Sequence, residues 1–399
     1  MFAALVIVGP GRRCFRRGIP ALLRGAPDLN SLVALGLAAA YGCSAFVLAA
    51  PELLPEKARN VYFEYACGCV VLTLVGYWLS ARRDGRSPIG RISNIPSGAV
   101  YHNLTMAAPQ RNMRLYVMAA LLLVILSAIV WSRLGAQRDL PFALIIGGSV
   151  LMIACPGAVA LARPISIGIG LDRAARKGIL MRDRMVLQRL PKISLLVFDA
   201  AAFLEDERHE RQLVNLGTAR AVKNDAKAIT QSLQTRGVRV ALLSDTDTAT
   251  TEALAQQFGI NLTVSNILPS EQAVAIERLR NDGDAVGFLG ADYADLSKVP
   301  YDCLRITAGV ASDSADIVLM RGDPAGVLVA MNIADATVCH IRQNVLLAFG
   351  FNAMLIPIAA GVFYQSFGIM LSPGLAMGAM GASTLCILCN ALRLRRGGG

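Results

Sequence analysis

The chain has 399 residues, of which 54% are hydrophobic and only 17% charged, with a formal net charge of +11 at pH 7. So apolar a composition excludes an ordinary water-soluble enzyme of this length and implies a protein solvated in large part by lipid. Several of the nine cysteines stand inside apolar stretches, which excludes a disulfide framework of the secreted type.

The opening stretch 1–8 is apolar but too short to span a bilayer, and Gly9-Pro10-Gly11 bends or ends any helix begun there. Arg12, Arg13, Arg16, Arg17 and Arg24 then interleave with Phe15, Ile19, Leu22 and Leu23, a basic amphipathic segment expected to lie along a membrane surface. A secretory signal is disfavoured, because the charges follow the apolar run instead of preceding it. Stretches 31–50, 61–80, 115–134, 345–364 and 371–392 are each long enough to cross a hydrocarbon core. A sixth, 141–170, is longer and is interrupted by Pro156 and Pro164. A break there frees backbone carbonyls, tolerated at membrane depth only inside protein or against a polar cavity, so it marks a candidate site.

Arginines cluster at 12–24, 82–86, 111–114, 173–184 and 393–396, all on one side if the spans alternate. The loops 51–60 and 132–140 are nearly balanced and 365–370 carries no charge. That asymmetry predicts a cytoplasmic location for the large loop, in an integral protein of a bacterial inner membrane. Attraction to anionic lipid accounts for the basicity, so the bilayer is the expected partner and nucleic acid is not.

The long polar region alternates predicted strands at 194–198, 238–243, 262–264, 285–289 and 317–319 with predicted helices at 225–236, 250–258 and 271–281. Such alternation implies a parallel sheet with helices on both faces and ligands at the carboxyl ends of its strands, where Asp199, Ser244, Asp245, Asp292 and Asp295 fall. Among the cysteines, Cys67 and Cys69 lie two apart and point to different sides of a helix, while Cys386 and Cys389, three apart, share a face. Paired thiolates suit a soft cation such as monovalent copper; packing of small apolar residues between helices is the competing reading for each cysteine alone. Cys155 stands apart, because it adjoins the helix-breaking Pro156.

Ile153-Ala-Cys-Pro-Gly157, followed by Leu195-Leu-Val-Phe-Asp-Ala-Ala-Ala-Phe203, resembles the intramembrane metal motif and phosphorylation strand of the heavy-metal (copper-type, CPx) P-type ATPases. In that family the two motifs read Cys-Pro-Cys and Asp-Lys-Thr-Gly-Thr, so Gly157 stands for the second thiol and Ala200 to Phe203 for the phosphate-handling residues. Leu243-Ser-Asp245 resembles the family's Thr-Gly-Asp, Pro269-Ser-Glu-Gln272 its Pro-x-x-Lys, and Gly290-Ala-Asp-Tyr-Ala-Asp295 its Gly-Asp-Gly-x-Asn-Asp. The likeness continues through Pro27–Gly36, Val61-Tyr-Phe-Glu64, Phe351-Asn352, Met380-Gly-Ala-Ser-Thr384 and Asn390-Ala-Leu-Arg-Leu394, covering nearly the whole chain.

This resemblance implies a six-helix membrane bundle with one cytoplasmic α/β domain of haloacid-dehalogenase (Rossmann-like) type. The expected division is a half-helix and basic segment at 1–30, paired spans at 31–81, a connector at 82–113 in place of the family's actuator domain, spans with the break at 114–170, the phosphorylation-like domain at 171–335, and the last two spans at 336–399. No Thr-Gly-Glu loop occurs in the connector, and the short link after Phe203 has no room for a nucleotide-binding domain. Two leading helices and a soluble Cys-x-x-Cys domain also lack counterparts, apart from the N-terminal stub.

Phosphoryl transfer to a carboxylate needs magnesium, a cation and positioned donors. With Gln272 for lysine and Ala291 for a carboxylate, Asp199, Ser244, Asp245, Gln272, Asp292 and Asp295 are expected to be vestigial, with magnesium and ATP not bound. The family's metal path carries over to Cys155, Asn352, Met380, Ser383 and Thr384, with Cys386, Cys389, Cys67 or Cys69 as supplements and copper(I) as the candidate ligand. The first functional reading is a pseudo-ATPase serving as a structural, assembly or metal-handling subunit beside other membrane proteins; the second is a heavy-metal cation transporter.

Overall fold

A computed structural model describes residues 2–27, 29–54, 56–84, 110–134, 140–155, 157–202, 219–268, 270–290, 296, 299–300, 302–309 and 314–396. Most of the connector at 82–113, the link after Phe203, and Pro156, Pro269, Ala291, Asp292 and Asp295 lie outside them. The helices before residue 83, those between 110 and 166, and the chain from His340 onward pack as one unit; residues 167–339 pack as a second.

In the first unit, α1 (Phe2–Val8) and α2 (Arg12–Leu23) flank the glycine-proline turn. Helix α2 buries Cys14 and Gly18, one turn apart, and exposes Arg16, Arg17, Ile19 and Leu23. Gly18 is required by a close approach: a Cβ there would lie 2.4 Å from the carbonyl oxygen of Asn30, and Ser31 Oγ donates to Gly18 O at 2.8 Å.

The spans follow as α3 (Leu29–Ala49), α4 (Phe63–Asp84), α5 (Gln110–Leu134), α6 (Leu140–Ala154) and α7 (Val159–Arg176). The expected break lies between α6 and α7, at residues 155–158. Pro164 does not add a second one: it sits inside α7. The carbonyl it deprives of a helical partner, that of Ala160, instead faces Gly76 of α4, where a Cβ would come within 2.6 Å. Leu122, Ile125, Leu126 and Ile129 of α5 point outward, the apolar surface that lipid solvates.

The second unit holds β1 (Ile179–Met181), the one-turn α8 (Val186–Arg189), β2 (Leu195–Asp199), α9 (Ala219–Thr235), β3 (Arg239–Leu243), α10 (Thr248–Phe258), β4 (Leu262–Val264), α11 (Gln272–Leu279), β5 (Val286–Gly290), β6 (Leu304–Ala308) and β7 (Ile317–Leu319). The sheet order is β1-β7-β6-β5-β2-β3-β4, parallel throughout except that β1 runs antiparallel to β7. The central strands are buried along nearly their whole length, as a parallel sheet covered on both faces demands. Helix α10 begins two residues before its predicted start because Asp247 caps it, its side chain accepting from Thr250 N at 3.2 Å, and Gly259 ends it at φ +70°.

Two strands escape the sequence reading. β1 has only three residues. β6 hides behind Arg305, a residue foreign to a buried strand, whose charge is met by Asp316: Arg305 Nε lies 3.5 Å from Asp316 Oδ2, and the same oxygen accepts from Arg305 N at 2.9 Å.

The chain returns to the first unit through α12 (Gly326–Ala359), the single turn α13 (Tyr364–Phe367) and α14 (Pro373–Arg396). Thus, among the described residues, α3, α5, the α6–α7 pair, α12 and α14 are long and apolar enough to cross a membrane, while α4, the sixth helix expected to span, is apolar over the shorter stretch Phe63–Gly76. At one end of the bundle, Trp131 Nε1 donates to Ala360 O at 2.8 Å, and its ring meets those of Phe142 and Tyr364 edge-on, with centroids 5.2 and 5.7 Å away. Gly361, at φ +75°, lets the indole in: a Cβ there would stand 2.8 Å from the ring.

Candidate functional site

The end of α6 leaves carbonyls without helical partners inside an apolar bundle. Two tyrosines from other helices satisfy them. Tyr65 of α4 donates to Met152 O at 2.8 Å and Tyr116 of α5 to Ala154 O at 3.1 Å, while Cys155 N closes a tight turn onto Met152 O at 3.1 Å. Neither tyrosine was singled out from the sequence; a phenol inside an otherwise apolar span is the signal that points to them.

Around this break the structure gathers part of the predicted metal set. Cys155, Asn352, Met380 and Ser383 line one cavity of about 10 Å³, room for a single water or ion, together with Tyr65 and Gly157. Cys69 of α4 joins them from behind, its Sγ lying 3.7 Å from Met380 Sδ. The hydroxyls of Ser383 and Thr384 are both spent on Met380 O, at 3.0 and 2.7 Å. Asn352 stands beside the Tyr116 hydroxyl, and its Nδ2 is buried with no partner among the described residues.

Cys67, Cys386 and Cys389 line no part of this cavity. Cys67 and Cys69 take different sides of α4, the first half-buried and the second 1% exposed. On α14 the inward residue is Ile387, which leaves Cys386 half-buried and Cys389 exposed. No group of three His, Cys, Asp or Glu side chains converges among the described residues, so any metal held here must use thioether as well as thiol.

Further along the same bundle a buried amide network joins α7, α12 and α14. Asn390 Nδ2 donates to Asn344 Oδ1 at 2.8 Å, Asn344 Nδ2 to Ser166 Oγ at 3.0 Å, and Ser166 Oγ to Ala162 O at 2.9 Å. Every member finds a partner, which is the condition for polar groups at membrane depth.

The α/β unit has its own candidate pocket. The chain runs from β2 outward through β3 to β4 and then crosses back to β5 on the other side of β2, so the switch point of the sheet lies beside β2. Asp199 is the last residue of β2, paired in register with Leu243 of β3, and Ser244 follows immediately. These are the positions to which the resemblance assigns phosphate handling, and the side chains there differ from the family's. Ala200–Ala202 make a tight 3-10 turn after Asp199, with Ala200 buried. Ser244 is buried and its hydroxyl is engaged by Thr246, through Oγ1 at 2.7 Å and the backbone N at 3.2 Å. Asp245 is exposed and Gln272 opens α11 half-buried. Asp292 and Asp295 are outside the described residues.

No family model matches the chain. It is similar to the copper-transporting ATPase 2 of Rhizobium meliloti (strain 1021), 27% identical over 605 aligned positions that take in 98% of this chain and 73% of the relative. That span is longer than the 399-residue chain, so the relative carries internal sequence without counterpart here. A 185-residue stretch, 45% of this chain, is 35% identical to a probable copper-transporting ATPase of Synechocystis sp. (strain ATCC 27184 / PCC 6803 / Kazusa), covering 25% of it. Among solved structures, the fold is shared with a zinc-transporting PIB-type ATPase in an E2.Pi state, at a TM-score of 0.71 and 16% identity, with 99% of this chain and 94% of the other covered.

Proposed function

The chain belongs to the heavy-metal P-type ATPase family, and from that premise we propose that it is a pseudo-ATPase, a pump-derived membrane core without a working phosphorylation site that serves as a structural, assembly or metal-handling subunit of a membrane complex. One observation carries this reading: at the end of β2, Asp199 is followed by Ala200–Ala202, so methyl groups stand where transferred phosphate needs donors. Gln272 adds no charge, and the Ser244 hydroxyl already serves Thr246. Magnesium and nucleotide phosphate do not fit such a set. Losing one preorganised electrostatic donor typically costs about 2.7–4 kcal/mol of transition-state stabilisation, so losing several together brings turnover to background.

The arginine clusters beside the spans support a bacterial inner membrane with the α/β unit on the cytoplasmic side. A scaffold with no motor of its own is expected in a stoichiometric assembly, so co-purification in mild detergent from native membranes should yield a defined partner.

The decisive experiment compares ATP-dependent phosphorylation of the purified protein with that of Asp199→Asn. Neither protein is expected to form a hydroxylamine-labile acyl-phosphate; its appearance in the parent protein alone overturns the reading. The sulfur cluster at the α6–α7 break favours a second reading, a copper-type cation transporter driven by another subunit or by the cation gradient. Metal-dependent flux in sealed vesicles without ATP would replace the first reading with that one.

A further inference from the structure

From Gln343 to Leu392 the chain carries no charged side chain, although it ends one span and begins another within that stretch. The other two connections at the same end of the bundle are charged: 51–60 holds Glu52, Glu56, Lys57 and Arg59, and 133–139 holds Arg133, Arg138 and Asp139. The three meet in one cluster, where Ala58 packs with Trp131, Phe142, Tyr364 and Met370. The uncharged connection turns apolar side chains outward. Tyr364 of α13 faces the Trp131 corner, while Phe363 and Phe367, one helical turn apart with ring centroids at 6.3 Å, face away from it. Val362 and Phe367 are 63% and 71% exposed, and Phe363 and Ile369 are exposed beside them. Gln365 and Ser366, also exposed, are polar without charge. The backbone of this turn closes on itself: Val362 N donates to Pro357 O at 3.1 Å, Tyr364 N to Gly361 O at 2.9 Å, Phe367 N to Phe363 O at 3.0 Å and Gly368 N to Tyr364 O at 2.9 Å. Water makes no such demand on a loop; lipid does.

We propose that the turn 361–370 is seated in the bilayer, with Val362, Phe363, Phe367 and Ile369 inserted among the upper ends of the acyl chains and Gln365 and Ser366 at headgroup depth. The apolar surface of the turn continues that of the two helices it joins, where Leu346 and Met354 of α12 and Leu375 and Leu385 of α14 point outward. Aromatic rings favour the level between hydrocarbon and headgroup, and a contiguous apolar patch of this kind marks an interaction surface. Lacking charge, the turn should bind neutral and anionic lipid alike, the reverse of the arginine-rich segments. Its seat also fixes the depth of α5 and α6, because Trp131 Nε1 holds Ala360 O and the Trp131 ring packs on Tyr364 and Phe142. The leaflet is the extracytoplasmic one under the orientation proposed above; the seating itself needs neither that orientation nor the pseudo-ATPase reading.

The test places the full chain in phosphatidylcholine nanodiscs, one copy per disc, and probes it from both phases: hydroxyl radicals from water and a lipid-soluble diazirine from the bilayer, mapped by mass spectrometry and normalised to the denatured chain. Residues 51–60 serve as the water-facing reference and the outward face of α5 as the lipid-facing one. Phe363 and Phe367 are expected to be as protected from radicals as α5 and to take the diazirine label, with no change when phosphatidylglycerol replaces part of the lipid. Phe363→Asp combined with Phe367→Asp should raise oxidation of Val362 and Ile369 to the level of 51–60 while α5 stays protected. The proposal is overturned if the two rings of the parent protein oxidise like 51–60, if they are protected from both probes, which would mean that protein covers them, or if their protection requires anionic lipid.

Discussion

The break between α6 and α7 and the end of β2 are two places where this chain departs from regular structure beside a candidate site, and they are built differently. In the membrane-spanning unit the interrupted helix has its supports: Tyr65 and Tyr116 hold the freed carbonyls, and Cys69 Sγ stands 3.7 Å from Met380 Sδ. In the α/β unit the strand order and the carboxylate at the switch point remain, but the turn after Asp199 presents alanines. A broken helix in lipid collapses without its hydrogen-bond partners, whereas a parallel sheet stands on its apolar interior whatever its loops carry. The chemistry of a sheet edge is therefore separable from its stability; at a helix break in lipid the two are coupled.

The largest test of that contrast is Phe288→Ala. Phe288 is fully buried at the centre of β5, and its removal should destabilise the α/β unit by about 3–5 kcal/mol, read as a lower melting temperature. Tyr65→Phe should cost about 1–2 kcal/mol in detergent unfolding, because Met152 O keeps only the Cys155 N–H and loses its second donor inside the bundle; an unchanged protein would mean that the break needs no such support. Asn344→Leu removes the centre of the amide chain between Ser166 and Asn390, and double-mutant experience in lipid predicts a smaller loss, about 0.6–1.7 kcal/mol.

A pH effect should follow from Asp284, whose carboxyl is held below the usual range by the Ser194 hydroxyl at 2.7 Å, by Asn281 N at 2.8 Å and by the Arg239 guanidinium. A depressed folded-state pKa stabilises above the unfolded value of about 3.9 and is lost as the pH falls through the folded value. The stability gap between the parent protein and Asp284→Asn should thus be open at neutral pH and close below about pH 4, in chemical denaturation of the whole chain. The smallest effect, none, is expected of Asp199→Asn on nucleotide turnover, measured by phosphate release.

Much of the architecture was legible because lipid imposes simple rules on sequence. The spans follow from length and apolarity, the turn at Gly9–Gly11 from its residues, and the break from a proline inside an apolar run. Pro164 misled, because its cost is met by Gly76 on another helix, a contact with no local signal. β6 was hidden by an arginine whose partner, Asp316, lies eleven residues on. Cys386 and Cys389 share a helical spacing, yet spacing does not say which face turns inward, and Ile387 takes the interior. The approach of Cys69 to Gly157 and Met380 joins residues far apart in sequence, so only the fold brings it into view.

The corner built on Trp131 has a practical consequence. The chain has two tryptophans. Trp78 is 53% exposed on the outer surface of α4, while Trp131 is 7% exposed among Phe142, Tyr364 and the Ala360 carbonyl. Brominated lipid acyl chains should extinguish the fluorescence of the first and spare the second. What survives is an intrinsic optical gauge of whether that corner of the protein opens, read without any attached dye.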